Sequence, residues 1–377
     1  MAGRVEEINT DILQKCREQA GLDLPDVEKK VSKIAEIEAG THSPTFKQLD
    51  TLSKLYSVPR WVFISEQLPT RYQFDKSVLV FRQFAAQRAE IFDNSKVRRL
   101  IARVERFRDL ILELLDDMGE TFTKFEPPKF NENINPESAA QLIRSWLGLT
   151  DDHLDFPGWK RLMEDKGVFV FLTSKYKGWS HIDNMLVRGM SIYHTIMPIL
   201  IINDSDVKKA QSFTLFHELG HLLQKESTID DWEFPRQREE KWCDEFAGNV
   251  LMPSTMFNFT RDEIKDLDTV KNIAKTFKVS FYACLVRLRQ LSIIDQTTYT
   301  AFETQLKNEY AKMQKKLKES PGGPARNRSL EVLNQFGRIY TRVLFQAYHN
   351  KEIGLHKLMQ FFDLKKPSYV FDLEVQL

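Results

Sequence analysis

The sequence predicts an α+β fold, predominantly helical, in which a small β-sheet packs on a His-Glu-x-x-His helix and helical domains lie on either side. Three observations carry this expectation. Apolar residues recur at three-to-four spacing through most of the 377 residues. Strand-like text, β-branched and aromatic, is confined to GVFVFLTSK (167–175) and MSIYHTIMPILIIN (190–203), the second broken near His194 and Pro198. A helical pattern bearing two histidines four residues apart follows the second of these directly.

Composition sets outer bounds. With 42% apolar and 28% charged residues the chain reads as an ordinary globular protein, long enough for two or three cores. Lys plus Arg, 54, against Asp plus Glu, 53, leaves a net charge of +1, so no global field draws the chain to nucleic acid or anionic membrane. The longest nearly unbroken apolar run, 196–202, is far too short for a bilayer, and MAGRVEEINTD has no apolar signal stretch. A cytoplasmic protein without membrane contact is expected. Cys16, Cys243 and Cys284 are too few and scattered for a disulfide framework and fit small buried side chains.

The first domain, 1–66, is expected to be a bundle of short helices, with Gly40 and Pro44 as punctuation and Ser43 capping the helix that opens at SPTFKQL. Its order of helix, short helix, turn, short helix ending IEAG resembles the helix-turn-helix of phage-repressor-like regulators. That resemblance makes DNA a possible partner of residues 8–66. Two departures stand out: the turn between LPDVEKKV and SKIAEIEAG is short, and the would-be recognition helix carries Glu36 and Glu38, acids that would face phosphates. Residues 67–125 read as a linker with a long amphipathic helix, from about 77 to 120. Pro127 and Pro128 break the chain and Pro136 restarts a helix. The segment 126–260 holds the strands and the histidine helix. A helical extension, 261–320, follows, and PGGP at 321–324 sets off a last helical segment, 321–377.

The chemistry sits in SFTLFHELGHLLQ. Residues four apart share a helix face, so His217 and His221 can offer imidazole nitrogens to one metal, with Glu218 beside the first as a base for water. Phe213, Leu215, Phe216, Leu219, Leu222 and Leu223 demand burial of this helix, and a buried pair of histidines with a glutamate calls for a compensating cation. Zinc bound by two histidines needs a third protein ligand and an open fourth position. In REEKWCDEFAGNVLMP, Glu240 and Asp244 share a helix face, so Glu240 is placed to close the triad and Asp244 to hold the far nitrogen of a histidine. Glu239, Glu233 and Cys243 are its rivals as ligand.

FTLFHELGHLL followed by E-x-x-C-D-x-F-A-x-x-x-L-M-P is similar to the ImmA/IrrE family of cytosolic metallopeptidases. IMPILIIN resembles the strand that leads into that family's active helix, and SPTFKQLDTLSKLYSVPRWVFI its frequent amino-terminal regulator domain. The resemblance implies a zincin-like metallopeptidase domain within 126–260, one zinc per chain on His217, His221 and Glu240, and Glu218 as catalytic base. It also implies a protein substrate such as a helix-turn-helix repressor, in stress or mobile-element control. Peptidases of this kind bind substrate as a strand added to a sheet edge, here expected along 190–203, with Tyr193 and His194 as candidate oxyanion donors. The competing expectation is a DNA-binding regulator or antitoxin-like interaction protein whose zinc site is structural or inactive.

Overall fold

The computed structural model describes residues 4–377 apart from 57, 70–71, 73–78, 83–93, 132, 150–152, 177, 184–185, 228–235 and 320–325. Helices α1 (Thr10–Gln19), α2 (Leu24–Glu28), α3 (Ile34–Glu38) and α4 (Phe46–Tyr56) enclose a small core that includes Leu13, Val27, Ile34, Ile37 and Leu52. Asn9 caps α1, its side-chain oxygen accepting the Ile12 N–H at 3.2 Å. The cap of α4 is Thr45, not the expected Ser43. Its hydroxyl accepts the Gln48 N–H at 3.2 Å while Gln48 Oε1 accepts the Thr45 N–H at 2.9 Å, so two helix-end donors are satisfied reciprocally. On α3, Glu38 is drawn inward onto Arg17 at 2.8 Å, both side chains almost covered. Only Glu36 of the two acids stays exposed, paired with Lys33 at 3.2 Å.

The long amphipathic helix is α5 (Ser95–Asp117), capped by Asn94. The expected start near 77 is corrected: Leu79–Arg82 forms strand β1. Its LVFR text fits a helical period and a strand equally, and pairing with a distant strand decides between them. Helices α6 (Pro136–Trp146) and α7 (Phe156–Asp165) then lead into β2 (Phe169–Leu172), β3 (Gly189–Ile192) and β4 (Ile199–Ile202). These three form a mixed sheet: β2 runs parallel to β4 and β3 antiparallel to it, while β1 adds antiparallel to the outer side of β3. The last strand feeds α8 (Lys208–Ser227), followed by α9 (Arg236–Leu251), α10 (Leu267–Thr276), α11 (Phe281–Gln290) and α12 (Gln296–Glu319).

Alternation along the strands sorts the sheet's side chains into two cores. Val170, Leu172, Leu200 and Ile202 face α8 and pack with α6, α7, α9, α10 and α11. Phe169, Phe171, Met190, Ile192, Ile199 and Ile201 face the other way, onto α5 and onto α13 (Arg328–His349), α14 (Leu355–Phe361) and α15 (Pro367–Gln376). Both faces of β2 and β4 are therefore apolar, and each fully buried side chain contributes about 1.5–3 kcal/mol. Segments on both sides of the histidine helix in sequence complete one core in space. Among the described residues no helix is long and apolar enough to cross a membrane.

The carboxy-terminal pattern reads as one continuous amphipathic helix, but α13 is broken at Gly337, with φ 79° and ψ 176°. The break frees backbone groups, and α7 supplies their partners. Lys160 Nζ donates to Asn334 O at 3.0 Å, and the Arg338 N–H donates to Glu164 Oε2 at 3.1 Å. Lys160 and Glu164 are themselves a buried pair at 3.0 Å. Burial pushes the Lys160 pKa down, and Glu164 pulls it back up. A side chain at Gly337 would overlap the Glu164 carboxylate and must also hold a left-handed backbone. Gly337→Ala is expected to cost on the order of 3 kcal/mol, read as a lower urea midpoint at unchanged slope. An unmoved midpoint would dismiss the plugged break as a stabilising feature.

Candidate metal centre

The start of α8 is fixed by Asn203, at the end of β4. Its side-chain nitrogen donates to Ile182 O at 3.0 Å and Val187 O at 2.8 Å, and its Oδ1 accepts from Thr173 Oγ1 at 3.1 Å and the Ser205 N–H at 2.9 Å. Four segments are thus tied at the point where the chain turns from sheet to helix. Gln211 on the first turn donates to Asp206 O at 2.8 Å, closing the entry. Sequence reading passed over Asn203; an asparagine between an apolar strand and a helix was its one visible sign.

Two close approaches then set the helix in place. Gly220 lets α9 come near, since a Cβ there would stand 3.0 Å from Cys243 Sγ. Gly189 lets β3 lie on α8: a Cβ there would meet Glu218 Oε1 at 2.8 Å and Glu218 Cγ at 2.9 Å, and would overlap Thr214. Glu218, fully buried, is therefore seated against strand backbone. The far end of α9, at the LMP of the sequence, is held by two buried arginines. Arg144 Nη1 donates to Val250 O at 2.7 Å, and Arg287 donates through Nε to Met252 O at 3.0 Å and through Nη2 to Asn249 Oδ1 at 2.6 Å. Carbonyls that the helix end leaves without intrahelical partners are satisfied in this way.

Between the two helices His217 and His221 converge, their Nε2 atoms 3.2 Å apart and both rings about 1% exposed. Glu240 brings Oε2 to 3.3 Å from His217 Nε2 and Oε1 to 3.7 Å from His221 Nε2. The three candidate ligand atoms lie within 4.8 Å of one another. On the opposite side of each ring stands a carboxylate: Asp244 Oδ1 at 2.8 Å from His217 Nδ1, and Glu239 Oε1 at 3.0 Å from His221 Nδ1. An ionised carboxylate only accepts, so each Nδ1 donates to its carboxylate and each Nε2 is left facing the shared point. A divalent cation at that point would satisfy both nitrogens and the Glu240 carboxylate together.

Zinc fits these distances as well. With Zn–N near 2.05 Å and tetrahedral angles, neighbouring ligand atoms stand about 3.3 Å apart; the two nitrogens and the His217–Glu240 pair stand at 3.2 and 3.3 Å, and the His221–Glu240 pair is wider at 3.7 Å. Of the rival ligands, Glu239 is engaged with the Nδ1 side of His221, and Cys243 Sγ also lies on that side, 3.6 Å away. Glu233 lies outside the described residues. Tyr193 packs against the core on the α8 face of the sheet, whereas His194 turns towards Glu105 of α5, 3.7 Å from it.

A small mixed sheet thus lies on a helix whose two histidines meet a carboxylate from the next helix, an arrangement able to hold a metal ion. In comparison with family models, residues 163–289, about a third of the chain, match the IrrE N-terminal-like domain of the peptidase M78 family. No curated protein matches the chain. Among solved structures, a Mycobacterium tuberculosis transcriptional regulator aligns at 16% identity and a TM-score of 0.30 over 48% of this chain and 51% of that one, so the match spans about half of that regulator's length.

Proposed function

We propose that the chain is a zinc-dependent peptidase that hydrolyses a peptide bond in a regulatory protein, such as a helix-turn-helix repressor. The observation that carries the reading is the convergence of two oriented histidines and Glu240, with the buried carboxylate of Glu218 one residue from the first histidine. Zinc held by His217, His221 and Glu240 would act as a Lewis acid, making water acidic and polarising the scissile carbonyl.

The remaining work falls to side chains of this chain. Glu218 accepts the proton of the attacking water at its carboxylate and delivers it to the leaving amine. Packing against Gly189 fixes where that carboxylate can reach. Asp244 and Glu239 hold the two imidazoles in one tautomer and orientation. Tyr193, at the end of β3, is the candidate hydroxyl donor to the oxygen on which charge develops. The repressor-like substrate is what the resemblance to the ImmA/IrrE family implies.

The deciding experiment is metal content by mass spectrometry on protein purified without chelator, together with digestion of β-casein as a general probe. About one zinc per chain and casein fragments are expected, with both lost in His217→Ala and zinc weakened in Glu240→Gln. Wild-type protein that is metal-free and cannot be reloaded would sink the reading.

A further inference from the structure

We infer that the chain's own segment Leu79–Arg82 is a displaceable occupant of the outer edge of β3, the edge on which the proposed function places an extended substrate. The inference rests on the peptidase reading for the identity of the cleft, while the pairing stands apart from it. Leu79 pairs with Ile192, Val80 with Ser191, Phe81 with Met190 and Arg82 with Gly189, antiparallel throughout. Gly189 is the residue against which the Glu218 carboxylate packs. A strand in this register therefore runs one inter-strand spacing, about 4.8 Å, from the strand residue that touches the candidate base. Helix α8 contacts β1 as well as β3, so the segment lies over the helix that carries the metal ligands.

Without β1, β3 would be the sheet's open edge, since β4 occupies its other side. An open edge presents alternate N–H and C=O groups to any chain able to extend along it. Leu-Val-Phe-Arg suits that role, being β-favouring and free of proline. At four residues it is also short enough to leave at low cost. A segment tethered within one chain competes at an effective concentration in the millimolar range. An incoming strand must then displace it, so weak or folded polypeptides are refused and extended segments of similar apolar and aromatic character are admitted.

The test uses binding and amide exchange in a Glu218→Gln background, so that no peptide is consumed. Val80→Pro with Phe81→Pro removes the N–H at two successive positions, one of which must face β3. The probe is a fluorescein-labelled peptide, SVLVFRQF, copying residues 77–84. The proline variant is expected to bind it at least about ten-fold more tightly than the unsubstituted chain does. Exchange at residues 189–192 should be at least about ten-fold faster in the variant and slow again when peptide is added. Equal exchange in both proteins, or no peptide binding to the variant, overturns the inference. Peptide binding by the variant, in a protein whose Glu218 form leaves casein intact, would keep the docking edge and remove the peptidase reading.

Discussion

Glu218→Gln is expected to keep its zinc and to lose peptide hydrolysis by about 10²- to 10⁴-fold, the range that a positioned general base supplies. The amide nearly matches the carboxylate in volume, so its seat against Gly189 should persist. What disappears is the capacity to accept a proton. Zinc content measured beside casein turnover separates the two effects. A Glu218→Gln protein that retains both metal and full turnover would place the base elsewhere, whereas loss of both would recast Glu218 as a support of the site.

The second large effect concerns the two carboxylates behind the histidines. Asp244→Asn and Glu239→Gln are each expected to weaken zinc binding by about 10- to 100-fold, measured by competition against a chromophoric chelator at neutral pH. The amide oxygen can still accept from Nδ1, so the loss reads the charge that makes each imidazole a better donor. Asp244→Ala should lose more, because the ring is then free to turn. Unchanged affinity in both Asp244 variants would mean that packing alone orients His217.

Much of this site was legible in the sequence because its geometry is local. Four-residue spacing puts His217 and His221 on one face, and the same rule puts Glu240 and Asp244 together on the next helix. The place of Glu239 behind His221 was not legible, and Glu239 stood only as a rival ligand to Glu240. Adjacent residues differ by about 100° around a helix, so which of them meets the Nε2 atoms depends on how α8 and α9 cross, and that crossing is set by Gly220 against Cys243. Strand β1 was hidden for a related reason, since the pairing that makes Leu79–Arg82 a strand lies more than a hundred residues downstream. The break at Gly337 was masked by an amphipathic pattern that continues across it, and the groups that satisfy it are a pair of charges on α7, far away in sequence. Local periodicity reveals faces. It does not reveal what those faces meet.

The two-sided sheet bears on how the protein is made. Phe169, Phe171, Ile199 and Ile201 emerge from the ribosome well before α13 and α15, the helices that share their core. At synthesis speeds of about 5–20 residues per second, that apolar face waits on the order of ten seconds for its cover. Throughout that interval the histidine helix rests on a half-finished platform, and nascent-chain chaperones have an aromatic surface to hold. Birth order makes α13 to α15, synthesised after the sheet, the step that completes the platform under the candidate metal centre.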